Sequence, residues 1–343
     1  MEISCGRTKS RFLLGLALAG SLTGAAWAGT FTGPLSKYYL DDGYMIYVVQ
    51  GTSVVESFPT AYGRGWWEAT LAVSETIRTR ANYMAETYFS DLGAGEYTLS
   101  GDPTGYGYLT PPTGDLRYYD GTTDGTFNYF VDHGPDGPAG GVYRTDYYWQ
   151  NPQFLFVPQA LCSHVSGYPP GYGCWGLTGI AYDPLNNSLW ISSRTSQFIG
   201  DYSLDGTLLA EFPGGGDALG FDSADDTLWV VLGYGMCSYQ YYYCMHQYSL
   251  NPLTFGTILQ TGWPQGLPNS EYDIFRAGDF QTPAEPEPAT PVLVLTGIAV
   301  IGALIRPNRR RQSEGPIRCG SPSCGAARCT RGSGVKTLAS PPS

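Results

Sequence analysis

The middle of the chain repeats itself, and this repeat restricts the fold more than any other sequence feature does. Residues 179–193 (GIAYDPLNNSLWISS) align with residues 218–232 (ALGFDSADDTLWVVL), so that Asp183 falls on Asp222 at an offset of 39 residues. Internal repeats of this length are single supersecondary units that bury their apolar faces by stacking on one another. We therefore expect a fold that is built from copies of one small unit.

Each copy consists of short strands separated by turns. Apolar residues alternate with polar ones, and Asp, Asn and Gly mark the turns, which is typical of an antiparallel meander. A third copy is expected at residues 119–157, with Asp120 in the place of Asp183 and Asp222. An Asp at that place caps a turn through its own side chain.

Repeated four-stranded meanders of about 40 to 50 residues predict an all-β fold, and specifically a β-propeller. Residues 29–281 would then form five or six four-stranded blades, with residues 271–280 completing a blade that begins near residue 30. Trp190 and Trp229 take equivalent strand positions and are expected in the core. Residues 66–91 fit either a strand or a helix. The alternative fold is a two-sheet β-sandwich of the same strands.

The repeat also resembles a known group of propellers. Residues 179–193, followed by YSLDGTLLAEF at residues 202–212, look like blades of the NHL and SMP-30-like propeller group. That resemblance implies a central opening at which a hydrolase or lactonase would hold an axial metal.

Three features follow one another near the C-terminus. Residues 282–291 form a spacer rich in Pro and Glu, residues 292–305 form an apolar run, and a basic cluster follows. The apolar run predicts a transmembrane helix whose arginines stay on the cytoplasmic side. Because fourteen residues is short for a bilayer, a buried core helix is the alternative. The spacer contains the motif Pro286-Glu287-Pro288, and the cluster is Arg306, Arg309, Arg310 and Arg311.

This arrangement resembles the PEP-CTERM sorting signal of Gram-negative bacteria. The resemblance implies that exosortase and the inner membrane are partners, and that the protein reaches the cell surface or the extracellular space after sorting. PEP-CTERM proteins usually stop just past the basic cluster, whereas this chain continues to residue 343. We expect residues 306–343 to be the basic cluster and a disordered tail. The alternative is a metal-binding or redox role for its cysteines, Cys319, Cys324 and Cys329.

Residues 1–28 have the pattern of a secretory signal peptide. Arg7, Lys9 and Arg11 precede an apolar stretch, and Ala26-Trp27-Ala28 provides small residues at both specificity positions of a cleavage site. A signal anchor that is never removed is the alternative. In either case residues 29–281 are expected to be exported.

Four cysteines belong to the exported part, and an even number in an oxidising compartment predicts two disulfides. Three connectivities exist, of which we favour the local pairs Cys162–Cys174 and Cys237–Cys244. A zinc site is the alternative, because Cys162-x-His164 and Cys244-x-His246 could assemble one if their loops touched.

The exported part is strongly acidic. Residues 29–281 contain twenty-six Asp and Glu against eight Lys and Arg. Such a surface would repel phosphates, so nucleic acid is not expected as a partner.

Signals of catalysis are weak. The three histidines, His133, His164 and His246, stand in no motif that links them to a nucleophile, and GxSxG, HExxH and phosphate-loop motifs are absent from the sequence. We therefore predict no catalytic residue and no cofactor. Calcium is the alternative reading of the repeated aspartates, and Asp225 and Asp226 are the best remaining metal candidates.

Aromatic residues provide a second lead to function. Their rings can stack on sugars without any need for charge. The expected ligand contacts are Trp66, Trp67, Tyr241 and Tyr242.

These observations favour an exported, membrane-anchored PEP-CTERM surface or matrix protein that is associated with exopolysaccharide and does not catalyse a reaction. The alternatives are an exported propeller hydrolase or lactonase with an axial metal, and a purely structural surface protein.

Overall fold

The computed structural model describes residues 31–61, 70–80, 93–109, 118–133, 140–165, 176–233, 236–237, 242–270 and 275–281. Within them the chain forms twenty strands and one short helix, α1 (Gln159–Ser163). The predicted signal peptide, spacer, transmembrane run and tail lie outside these residues. In the described part, no helix has the length and apolarity that crossing a membrane requires.

The strands form five four-stranded antiparallel sheets, or blades. Blade 1 contains β1 (Tyr38–Asp41), β2 (Met45–Gln50), β3 (Ser53–Pro59) and β20 (Ala277–Phe280). Blade 2 contains β4 (Thr70–Val73), β5 (Ile77–Arg80), β6 (Gly93–Tyr97) and β7 (Pro103–Leu109). Blade 3 contains β8 (Tyr118–Thr123), β9 (Asn128–Asp132), β10 (Val142–Thr145) and β11 (Gln153–Phe156).

The two clearest repeats form the remaining blades. Blade 4 contains β12 (Leu177–Asp183), β13 (Ser188–Ser193), β14 (Phe198–Ser203) and β15 (Leu208–Pro213). Blade 5 contains β16 (Ala218–Asp222), β17 (Thr227–Leu232), β18 (Cys244–Ser249) and β19 (Ile258–Gly262).

The blades stand around one axis. The innermost strands β4, β8, β12, β16 and β20 pack against one another in that order, and β20 packs against β4. This is a five-bladed propeller, so the propeller prediction is confirmed and the two-sheet alternative is excluded. Residues near the C-terminal end of the described part complete blade 1, as expected, because β20 pairs with β1. The part of residues 66–91 that is described forms strands rather than a helix.

The core lies between the blades. Five apolar clusters each join two neighbouring sheets, because one sheet cannot cover both of its own faces. Trp190 and Trp229 are buried at equivalent places in two of these clusters, as predicted. Between blades 2 and 3 the cluster is small, and the buried guanidinium groups of Arg78 and Arg80 lie 3.6 Å above the rings of Tyr147 and Tyr118.

Candidate functional site at the axis and its mouth

Two carboxylates lie where the innermost strands meet. The Oδ1 atom of Asp120 accepts hydrogen bonds from the N–H groups of Gly121 (2.9 Å) and Gly278 (3.0 Å). Its Oδ2 atom accepts hydrogen bonds from the N–H groups of Ile180 and Leu219, both at 3.0 Å. Asp120 therefore joins the innermost strands of four blades.

Asp279 supplies the remaining connection. Its Oδ2 atom accepts a hydrogen bond from the N–H group of Val73 at 2.9 Å, and its Oδ1 atom accepts one from the Thr122 hydroxyl at 3.0 Å. Between them, the two carboxylates bond to the innermost strands of all five blades. Burial raises the pKa of both carboxyl groups well above the ordinary value, and the backbone N–H donors around them oppose that rise.

The predicted role of Asp120 as a turn cap is wrong. Thr123 pairs with Asn128 as Asp183 pairs with Ser188, so Asp120 is equivalent to Ile180 rather than to Asp183. A register shift between Tyr118 and Gly121 marks a β-bulge, and bulges re-aim side chains. In the third repeat the turn is capped instead by Asp124, one residue after the position equivalent to Asp183. The Asp124 Oδ1 atom accepts two backbone hydrogen bonds at 2.7 Å.

The other repeated aspartates act as expected. Asp183 accepts hydrogen bonds from the N–H groups of Leu185 and Asn186 in the turn that follows it. Asp222 accepts one from Ala224 in its own turn and others from Leu35 and Ser36. Asp225 accepts hydrogen bonds from the side chains of Thr227 and Gln247. No group of three or more potential metal-binding side chains occurs among the described residues.

One end of the axis carries a charged cluster that we call the mouth: Tyr119, His133, Arg194, Asp217 and Arg276. Each of these residues lies near the start of an innermost strand or just after the second strand of a blade. Because the innermost strands run in the same direction, these positions meet on one face of the propeller. The mouth thus collects side chains from blades 1, 3, 4 and 5.

Asp217 is the buried centre of the mouth. It is 3% exposed, and its Oδ1 atom lies 3.6 Å from a terminal guanidinium nitrogen of Arg194. The Arg194 side chain is 44% exposed. Burial raises the pKa of the Asp217 carboxyl, while Arg194 and Arg276 oppose the rise. Gly216 permits this placement, because a Cβ atom there would lie 2.5 Å from the carbonyl oxygen of Val231.

An aromatic wall adjoins the charges. The Tyr119 ring stacks on the His133 imidazole at 5.0 Å, and the Arg276 guanidinium carbon lies 5.7 Å from the Tyr119 ring centre. Burial and the Asp217 carboxylate raise the pKa of Tyr119, which disfavours a phenolate base near neutral pH. The mouth therefore combines two guanidinium groups with a buried carboxyl group and the partly exposed His133 imidazole, an arrangement suited to recognition of a polar anion.

The predicted cysteine pair is present. Cys237 and Cys244 form a disulfide, and Cys162 is also disulfide-bonded, while Cys174 lies outside the described residues. The zinc alternative is wrong because neither Cys162 nor Cys244 can supply a thiolate. His164 instead stacks on Phe198, and its imidazole lies 3.3 Å from the Glu211 carboxylate.

Other predicted site residues are only partly described. Tyr242 is 37% exposed. The remaining predicted ligand contacts, sorting motif and basic cluster lie outside the described residues: Trp66, Trp67, Tyr241, Pro286, Glu287, Pro288, Arg306, Arg309, Arg310 and Arg311.

Sequence reasoning missed both the axis and the mouth. A usable signal existed for the axis, since Asp120 and Asp279 are acidic residues beside glycine within innermost strands. Arg194, Asp217 and Arg276 belong to no motif, and only the packing of successive blades around the axis brings them together.

Comparisons with known proteins add little. No family model matches the chain, and no curated protein matches it. A protein of unknown function from Bacteroides caccae is 13% identical with a TM-score of 0.36, over 66% of this chain and 73% of that one. A chain of a nidogen/laminin complex is 12% identical with a TM-score of 0.43, over 72% of this chain and 98% of that one. A luciferin-regenerating enzyme is 11% identical with a TM-score of 0.39, over 69% of this chain and 78% of that one. These scores are low, so the propeller assignment rests on the sheet topology of the chain itself.

Proposed function

We propose that this chain is an exported, non-catalytic binding propeller of the cell surface, and that its mouth binds an acidic polysaccharide. The observation that carries the proposal is the placement of two arginines from different blades in one mouth: Arg194 lies 3.6 Å from the buried Asp217 carboxyl group, and the Arg276 guanidinium carbon lies 5.7 Å from the Tyr119 ring centre.

The charge balance of the mouth favours an anionic ligand. With Asp217 ionised, the two arginines leave a net positive charge, whereas the chain as a whole has a formal net charge of -11. Guanidinium groups bind carboxylates through paired N–H donors. The partly exposed His133 imidazole, which stacks on the buried Tyr119 ring, offers an aromatic surface to the sugar ring that carries the carboxylate.

Binding is favoured over catalysis by the chemistry of the axis. All four N–H groups around Asp120 point at its carboxylate oxygens, and a cation there would face those same donors. The rival function, a hydrolase or lactonase with an axial metal, would have to break these bonds before Asp120 could act as a ligand.

The ends of the chain support export and surface location. The signal-peptide pattern, the Pro286-Glu287-Pro288 motif, the apolar run and the arginine cluster follow the order of a PEP-CTERM protein. The partners of the proposal are therefore exosortase, the inner membrane during sorting, and the acidic exopolysaccharide of the producing bacterium.

Titration of the full-length protein with short oligomers of galacturonic or mannuronic acid tests the mouth. We expect Arg194→Ala and Arg276→Ala each to weaken binding roughly tenfold, and added salt to weaken it further. Asp217→Asn should act in the opposite direction and strengthen binding, because it removes the carboxylate that competes for the arginines.

Arg144→Ala is the matched control, since this arginine lies over the Phe127 ring on blade 3, away from the mouth. Equal losses in all three arginine variants, or weaker binding by Asp217→Asn, would remove the mouth from the proposal.

A further inference from the structure

Two tyrosine rings from different blades form an exposed stack, which we call the platform. Tyr106 on β7, the outermost strand of blade 2, stacks with Tyr148 in the β10–β11 turn of blade 3, with ring centres 4.8 Å apart at 28°. Tyr106 is 52% exposed and Tyr148 is half-buried. This turn lies at the end of the blades opposite to the mouth, so the platform is a separate surface.

The strand that carries Tyr106 leaves its ring uncovered. β7 is the outermost strand of blade 2, so no further strand of that sheet lies beyond it, and the Tyr106 side chain remains more than half exposed. An exposed pair of rings, each with an apolar face and a polar hydroxyl end, is suited to contact with a ligand that has both apolar and hydroxylated faces.

The turn that carries Tyr148 is fixed in place. Asp146 Oδ1 accepts hydrogen bonds from the N–H groups of Tyr148 (3.1 Å) and Gln150 (2.7 Å). On either side, Tyr147 lies over the Arg78 guanidinium at 3.6 Å, and Trp149 is fully buried. The platform is therefore preorganised, which reduces the entropy lost on binding.

A hydrogen-bonding group stands beside the rings. Glu96 accepts hydrogen bonds from the hydroxyls of Thr76 at Oε1 (2.9 Å) and Thr104 at Oε2 (3.1 Å). A carboxylate has about four acceptor sites, so capacity remains for the hydroxyls of a ligand. The same Thr104 hydroxyl accepts a hydrogen bond from the Tyr106 N–H group at 3.3 Å, which places the Glu96 carboxylate close to the platform. Burial and this carboxylate both raise the pKa of Tyr148.

We propose that the platform binds a neutral glycan, with a sugar ring stacked on Tyr106 and Tyr148 and with the Glu96 carboxylate accepting hydrogen bonds from sugar hydroxyls. Tyrosine suits this role because it is large, rigid and amphipathic. The Glu96 carboxylate and the acidic surface would repel a uronate, which distinguishes the ligand from that of the mouth. The proposal shares the carbohydrate class with the function argued above but rests on different residues.

The test is saturation-transfer NMR and titration of the full-length protein with cellohexaose, laminarihexaose and mannohexaose. At least one of these neutral oligomers should bind, Tyr106→Ala should weaken its binding roughly tenfold, and Tyr106→Trp should retain it. The matched control is Tyr44→Ala, because Tyr44 is 43% exposed and lies on blade 1, whereas the platform is built from blades 2 and 3.

Two outcomes would overturn the proposal: no binding of any of the three oligomers, or equal binding by the wild type and Tyr106→Ala. Arg194→Ala reports separately on the mouth, since it should leave the neutral oligomers unaffected. Tyr106→Ala should likewise leave the acidic oligomers unaffected, so failure of one site is distinguishable from failure of the other.

Discussion

At the scale of single residues, Asp120 determines how the innermost strands meet. An innermost strand has no partner strand on its axial side, so its N–H groups need other acceptors. One carboxylate satisfies four of these groups, on four strands. An apolar side chain at the same place would leave buried donors without acceptors.

Replacement of Asp120 should therefore destabilise the whole protein. We expect Asp120→Ala to lower the free energy of unfolding by about 3 to 5 kcal/mol, the usual cost of removing one partner from a buried, charged interaction, because the backbone donors around it lose their acceptor. Asp120→Asn keeps one acceptor oxygen and should lose less than Asp120→Ala. Urea unfolding of the full-length variants gives both values.

Asp124→Asn is the control for this prediction. Asn can cap a turn as Asp does, so this variant should stay within about 0.5 kcal/mol of the wild type. If Asp120→Asn lost no more than Asp124→Asn, the assignment of Asp120 to the axis rather than to a turn would be contradicted.

At the scale of elements, closure of the ring depends on β20 and β1. Their register pairs Tyr38 with Phe280, and the two rings stack at 4.5 Å. The Tyr38 hydroxyl is buried without a hydrogen-bond partner among the described residues. It lies against Gly278, where an added Cβ atom would approach it to 2.4 Å.

This contact predicts a suppressor pair. Gly278→Ala should destabilise the protein by about 1 to 3 kcal/mol, because the new methyl group overpacks the closed seam. Tyr38→Phe alone should be neutral or slightly stabilising, since it removes an unsatisfied polar atom. In the double variant Gly278→Ala/Tyr38→Phe, part of the stability lost in Gly278→Ala should return. If thermal unfolding showed that the effects of the two substitutions simply add, this contact would be contradicted.

At the scale of the whole molecule, the propeller and the C-terminal segment proposed to act in sorting occupy separate stretches of the sequence. The propeller needs residues from 38 to 280 to complete its ring. The spacer and the apolar run at residues 282–305 come directly after β20. A cut at the spacer would therefore leave the described blades whole.

The mature protein in the producing bacterium checks the sorting proposal. With exosortase present, its mass should lack the segment after Pro288, and the protein should be released or displayed on the surface. Without exosortase it should retain that segment in the inner membrane. Full-length protein in both strains would make residues 292–305 an ordinary membrane anchor.

The sequence by itself determined the unit of the fold. Alternating apolar residues, the turn aspartates and the Leu-Trp pairs at Trp190 and Trp229 are local patterns, so they predicted the blades, their stacking and the caps at Asp183 and Asp222. The Cys237–Cys244 disulfide was predictable for the same reason, because the pair is seven residues apart.

Only the tertiary structure decided the number of blades and the composition of the axis, the mouth and the platform. Asp120 meets Gly278 across 158 positions of sequence, and a single bulge turns its side chain from a predicted turn to the axis. Arg194, Asp217 and Arg276, like Tyr106 and Tyr148, stand on different blades. Such neighbours follow from the packing of one blade on the next and from closure of the ring. These contacts join residues that are far apart in the sequence, so they leave no periodic pattern in it.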